Sequence, residues 1–225
     1  MTWWKRLIWV GCAFLALALY ILPMLFQQLA ITYQFPKQWT IGLGLSLIIL
    51  ILLVFVAVAK KTGILSPSGK IFQKGDGKRI ALSLLGMLLI SVLGTVLLRW
   101  LHGEVTTANQ ASLMEEFRRG DVILLSIMLG ILAPIAEEII FRGIIPLKIF
   151  KGYESWGYII GGLLFAIFHG PTNIMSFVIY GGASVILTLL ACQTRRLGVS
   201  IAVHMINNGL PAILMLLIPI FGVEV

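Results

Sequence analysis

Apolar runs, separated by short polar or charged clusters, follow one another along the chain from Leu7 almost to its last residue. Runs of this length read as bilayer-spanning helices, because in lipid every backbone N–H and C=O must be satisfied within the segment. The pattern predicts spans at 7–30, 40–59, 80–98, 122–147, 156–169, 174–190, 197–208 and 210–223. The first four are long and continuous. The last four are short or interrupted, which a membrane tolerates where freed backbone groups face protein or a water-filled cavity. The expected fold is therefore all-α, a polytopic transmembrane helical bundle of about eight membrane segments. The count becomes seven if the last two stretches form one helix kinked near Gly209 and Pro211. Two parts are expected: an N-terminal transmembrane pair with a basic cytoplasmic loop over 1–79, and an intramembrane core over 80–225.

Composition supports a membrane protein: 59% of the 225 residues are hydrophobic, 12% are charged, and mean hydropathy is +1.02. That balance lies far from a soluble domain and leaves no stretch for a soluble catalytic unit. The opening MTWWKRLIWVGCAFLALALYILP begins like a signal peptide. It lacks a clear small-residue cleavage site and is long enough to span, so it is expected to remain as the first helix. Cys12 and Cys192 lie far apart in or beside apolar segments, so no disulfide framework is indicated.

The net charge of +8 is explained by where the cations fall. With the N-terminus inside and eight crossings, twelve lie on the inner side: Lys5, Arg6, Lys60, Lys61, Lys70, Lys74, Lys78, Arg79, Lys148, Lys151, Arg195 and Arg196. Only Lys37, Arg99, Arg118 and Arg119 fall outside, offset by Glu104, Glu115, Glu116 and Asp121. This is the positive-inside pattern; it puts both termini in the cytoplasm and removes the reason to expect nucleic acid as a partner. The connector over 60–79 reads as a topology determinant beside the membrane lipids. Residues 108–119, ANQASLMEEFRR, group Leu113, Met114 and Phe117 and are expected to form a short interfacial helix.

Ionisable groups inside the apolar runs are few: Glu137, Glu138, Arg142, His169 and His204, with Asn173, Asn207 and Asn208 as uncharged company. Such groups cost several kcal/mol on rough insertion scales and mark functional sites by default. Glu138 and Arg142, four residues apart, lie on one helical face and can pair. Glu137 then points about 100° away, toward a different neighbour. A buried ion pair that fixes packing accounts for Glu138 and Arg142. An acid without a partner in the same helix suits proton transfer or ion coupling.

In FAIFHG, Phe165 and His169 stand one turn apart, as do His204 and Asn208 in HMINNG. At ~1.5 Å per residue, Glu137 lies ~15 Å from the inner membrane face, His169 ~20 Å and His204 ~10 Å, so they can share a layer. Converged, Glu137 and His169 would hold and deprotonate a water, while His204 and Asn208 would donate to the oxygen that becomes negative. Interhelical hydrogen bonding is the plainer role for either histidine. Asn207 faces another way, and Asn173, after Pro171, is expected to start the next helix. A glutamate and two histidines can also ligate zinc, so Glu137, His169 and His204 are the ligands if a divalent metal is used. The HExxH spacing is absent, and no cofactor is expected.

These residues resemble the CPBP family, the type II CAAX prenyl proteases and bacteriocin-processing or Abi proteins. That family's pattern is EExxxR, then FxxxH, then HxxxN or HxxxD. Here it reads Glu137, Glu138 and Arg142, then Phe165 and His169, then His204 and Asn208, in order and on successive apolar segments. The resemblance covers roughly 80–223. It implies an intramembrane endopeptidase in which Glu137 and His169 activate water, His204 and Asn208 form the oxyanion hole, and Glu138, Arg142 and Phe165 support them. It also implies a peptide or membrane-protein substrate. Relatives that serve as non-catalytic immunity proteins or regulators of a membrane-protein partner make a binding function the alternative. A proton-coupled transporter is a third reading, weakened by the lack of inverted repeats. The small size and sparse loops resemble bacterial members, which implies the bacterial cell membrane.

Overall fold

The structure is a computed structural model and describes residues 2–66 and 70–217. Six of its helices are long and apolar enough to cross a membrane, which makes this a multi-pass membrane protein. They are α1 (Trp3–Thr32), α2 (Lys37–Lys61), α3 (Asp76–His102), α5 (Val122–Ile149), α7 (Ile174–Thr194) and α8 (Leu197–Leu217). Two shorter helices complete the bundle. α4 (Ala108–Arg119) occupies the stretch expected at the interface, capped by the Thr107 hydroxyl accepting from the Gln110 N–H. α6 (Glu154–Phe168) is apolar but only 15 residues long.

α5 is the axis of the fold. In its most apolar 18-residue window 72% of residues are buried, against 11% to 28% in the other five long helices. Its neighbours turn their outer faces to lipid: Leu93 of α3 and Leu53 of α2 remain largely exposed. The core is the layer of Leu125, Leu132, Ile139, Ile140 and Phe141 from α5 with Ile48 of α2, Phe165 of α6, Leu187 of α7 and Val203 of α8.

The polar contacts sort into two ends. At one end, Arg6 donates to the Ile149 and Lys151 carbonyls at 2.6 and 2.8 Å, and Lys148 donates to the Thr62 carbonyl at 2.6 Å. There Arg196 also forks onto both oxygens of buried Asp76, which raises the guanidinium's pKa above its ordinary value. At the other end, Gln28 donates to Glu116, Asn173 donates to Glu104 at 3.1 Å, and Thr107 bonds the Tyr180 hydroxyl. α6 runs from the first end to the second.

The connector after α2 is strapped across the first end of the bundle. Ile64 is buried against Gly143, where a Cβ would come within 2.3 Å of it; the Leu197 N–H donates to the Leu65 carbonyl, and Arg196 donates to the Ile71 carbonyl.

One expectation is corrected. The stretches 197–208 and 210–217 are not separate segments; α8 runs through Gly209 and Pro211 without a break. Pro211 costs the Asn207 carbonyl one intrahelical donor, which a helix held by neighbours tolerates. Gly209 serves close approach, its Cα lying 3.3 Å from where a Cβ on Gly130 would sit. The remainder of that stretch, 218–223, lies outside the described residues.

Candidate active site

The local shape of α5 positions both glutamates. Met128–Leu132 and Glu138–Ile149 adopt wide π-helical turns on either side of a short α-helical piece that ends at Glu137. Pro146 accounts for the second widening: it has no N–H, and its ring would crowd the carbonyl of Arg142 in an α-turn. In a π-turn the Phe141 carbonyl would look for a donor at residue 146, and the proline has none. Gly161 of α6 lies directly against that carbonyl, where an added Cβ would sit 2.1 Å from the oxygen. Gly157, one turn earlier, packs on Pro146 in the same way. These small residues let α6 approach α5 closely enough to bring Phe165 over the acid cluster.

Glu138 and Arg142 form the ion pair that the spacing predicts, at 3.0 Å and with both side chains fully buried. Arg142 also donates to the Ser184 hydroxyl at 2.8 Å and to the Ser184 carbonyl at 3.2 Å, with Thr188 at 3.4 Å. Its guanidinium lies 4.1 Å from the Phe165 ring centre. Four hydrogen bonds to α5 and α7 and one ring contact to α6 thus radiate from a single guanidinium, a geometry that the planar fork of arginine allows and lysine does not.

His204 sits between the two acids. Its Nδ1–H donates to Glu138 Oε1 at 3.1 Å, and its Nε2 accepts from Asn208 Nδ2 at 3.3 Å. The Asn208 carbonyl oxygen in turn accepts from Asn207 at 3.1 Å, which fixes the amide's orientation. The ring is thus oriented with Nδ1 on the Glu138 carboxylate, as in carboxylate-imidazole pairs elsewhere.

Glu137 is 4% exposed. One oxygen, Oε1, accepts from the Tyr20 hydroxyl of α1 at 3.0 Å. The other, Oε2, has no hydrogen-bond partner among the described residues and faces His204 Nε2 at 3.8 Å. That gap is too long for a hydrogen bond.

His169 is brought to the cluster less directly. Gly170 takes a left-handed φ of +58° and ends α6, with Pro171 behind it, so His169 is the residue that closes the helix. Its Nδ1–H donates to the Phe165 carbonyl at 2.8 Å, leaving Nε2 with its lone pair. The ring stacks on Tyr180 of α7 at 4.6 Å and lies 4.5 Å from the Phe165 ring, whose other neighbour is His204 at 5.6 Å. Among the described residues no ion pair joins His169 to Glu137. The acid that was expected to work with His169 lies nearest His204, with the Phe165 ring between the two histidines.

The same arrangement bears on a metal. Glu137, His169 and His204 do not converge on one point, and His204 has both ring nitrogens engaged by Glu138 and Asn208. No group of three or more His, Cys, Asp or Glu among the described residues is arranged to hold a metal ion.

Tyr20, Ser184, Thr188 and Tyr180 belong to this surrounding shell and were not among the residues that the motifs single out. Their only sequence signal is a hydroxyl inside an apolar run. Among the clefts at the bundle's surface are one of about 430 Å³ beside Gln27, Lys37 and Asp121 and one of about 400 Å³ between α5 and α8, lined by Ser126, Gly130, Met205 and Gly209. Neither is lined by Glu137, His169 or His204.

Residues 119–210 match the family of type II CAAX prenyl endopeptidases described as Rce1-like. The chain is 31% identical over 122 residues to the UPF0177 protein YvdC of Lactococcus lactis subsp. lactis (strain IL1403), across 54% of this chain and 46% of that protein. It is 32% identical over 149 residues to the membrane-embedded CAAX protease MroQ of Staphylococcus aureus (strain USA300), across 61% of this chain and 58% of that protein. The chain thus spans about half the length of the curated relatives it matches. No solved structure matches. The matched segment runs from the end of α4 into α8 and carries both glutamates, Arg142, Phe165, both histidines and Asn208; over this segment the chain is similar to the type II CAAX prenyl endopeptidase, Rce1-like family.

Proposed function

We propose that the protein is an intramembrane endopeptidase that hydrolyses a peptide bond in a peptide or membrane-associated protein. The observation that carries this reading is the division of labour within the acid pair. Glu138 Oε1 is engaged by both Arg142 and His204, whereas Glu137 has no ion pair to an arginine or lysine: Oε1 accepts from the Tyr20 hydroxyl and Oε2 faces an imidazole 3.8 Å away, the Oε2 atoms of both acids being without a hydrogen-bond partner among the described residues. In this reading Glu137 takes a proton from water as the water oxygen bonds to the carbonyl carbon. The carbonyl oxygen becomes the oxyanion and accepts from the Asn208 amide, and from His204 Nε2–H when the ring enters the step as an imidazolium protonated from solvent, a charge that the Glu138 carboxylate on Nδ1 stabilises. The C–N bond then breaks as the amine nitrogen takes the proton from Glu137. His169, with its free Nε2 one ring beyond, completes the site when substrate and water occupy it. Nothing in this sequence is routed through a metal.

The experiment uses purified protein in lipid nanodiscs with a panel of prenylated and unmodified peptides. Glu137→Gln is expected to lose cleavage by at least ~100-fold, in the range found when a general base is removed, while the fold is kept. Retained cleavage refutes the assignment. A binding function is the second reading, favoured by the burial of Glu137 away from both clefts; a Glu137→Gln protein that still performs its cellular role would establish it.

Three helix-end contacts also support a topology. With α8 continuous and α6 running end to end, we infer seven crossings. The Arg6, Lys148 and Arg196 end is then cytoplasmic, and the distal end of α8 faces out. The bacterial sources of both relatives support a bacterial cell membrane as the location.

A further inference from the structure

The matched segment begins at residue 119, yet a contact to the candidate base comes from α1, more than a hundred residues earlier. We propose that Tyr20 is a positioning residue for Glu137, which makes the N-terminal helix a working part of the site. This rests on the reading of Glu137 as the base.

Three observations support the proposal. First, the Tyr20 hydroxyl donates to Glu137 Oε1 at 3.0 Å, a charge-assisted bond between partly buried groups. A carboxylate with one oxygen tied down this way presents the other in a fixed direction, and here that direction is toward His204. Second, the Tyr20 ring packs on Phe168, 6.2 Å between centres, the residue before His169, so one side chain touches both α5 and the closing end of α6. Third, α1 is anchored at both ends. Arg6 holds the carbonyls at the end of α5, and at the other end Gln28 donates to Glu116 while Gln27 is buried against Gly120. A helix held at both ends delivers its central hydroxyl with little freedom, which is what positioning requires.

The test compares wild type, Tyr20→Phe and Glu137→Gln in nanodiscs by infrared spectroscopy and by kinetics. The carboxylate band that disappears in Glu137→Gln identifies Glu137. In Tyr20→Phe, which keeps the ring and removes one oxygen, that band is expected to shift, and kcat to fall about 10- to 100-fold with KM within about twofold, the loss of one hydrogen bond to a charged group. An unmoved band overturns the proposal, and so does a moved band with unchanged kcat. If Glu137→Gln retains cleavage, the protease reading falls on its own, and the band alone decides whether Tyr20 holds Glu137.

Discussion

Arg142 and Glu138 are both fully buried, and neither can lose the other cheaply. Replacing Arg142 with glutamine strands Glu138 as an uncompensated charge with only His204 beside it, at a cost of ~4 kcal/mol for breaking a buried pair from one side. Glu138→Gln strands the guanidinium at a similar cost, softened by Ser184 and Thr188. The double variant buries two neutral amides, so its cost should fall short of the ~8 kcal/mol sum by a coupling of up to ~3 kcal/mol. Arg142→Lys is the milder variant: it keeps the charge and gives up the fork onto Ser184 and the planar contact with Phe165. The assay is reversible unfolding by SDS in mixed micelles, followed by tryptophan fluorescence, on all four members of the cycle. Additivity to within ~0.5 kcal/mol would refute the reasoning that each charge of the pair compensates the other's burial.

Further outcomes can be checked in the same preparation. Gly161→Ala forces a Cβ to within 2.1 Å of the Phe141 carbonyl, a backbone atom, and should cost ~1 to 3 kcal/mol or more in stability, whereas Gly181→Ala, whose Cβ would meet Phe177 at 4.0 Å, should be neutral. Asp76→Asn removes the carboxylate under Arg196 and should release the connector, read as faster tryptic cleavage at Lys70 and Lys74 in nanodiscs; an unchanged rate would separate the ion pair from the strap. Seven crossings require Leu217→Cys to be labelled by an impermeant maleimide in intact cells and Lys60→Cys only after permeabilisation. Peptide cleavage should survive a strong chelator; its loss on chelation and return with added zinc would reinstate metal chemistry.

The chemistry on α5 was legible because it is local. A four-residue spacing pairs Glu138 with Arg142 in either an α- or a π-turn, and turns Glu137 elsewhere. The extent of α4 was legible for the same reason, since Leu113, Met114 and Phe117 group on one helical face. What sequence left hidden depends on tertiary placement. Depth counted along separate helices puts Glu137, His169 and His204 in one layer but says nothing of rotation, so it could not foresee that Glu137 Oε2 faces His204 or that the Phe165 ring touches both histidines. Tyr20 was invisible because a tyrosine in an apolar run is usually a packing residue, and its partner stands 117 positions away. The continuity of α8 was hidden behind Gly209 and Pro211, which punctuate soluble chains more strongly than helices braced by neighbours.

The burial of α5 bears on how the protein is made. Three charged side chains within six residues, each costing about 2.5 to 3.5 kcal/mol near the middle of a lone helix, make this segment a poor candidate to enter lipid unaided. α1, α2 and α3 carry no such burden and leave the ribosome first. They can wait in the bilayer as a receiving wall, with Tyr20 already at mid-depth when Glu137 arrives. Order of synthesis then becomes a requirement of the fold: a chain permuted to begin at α5 would present its acids to the translocon before anything existed to neutralise them.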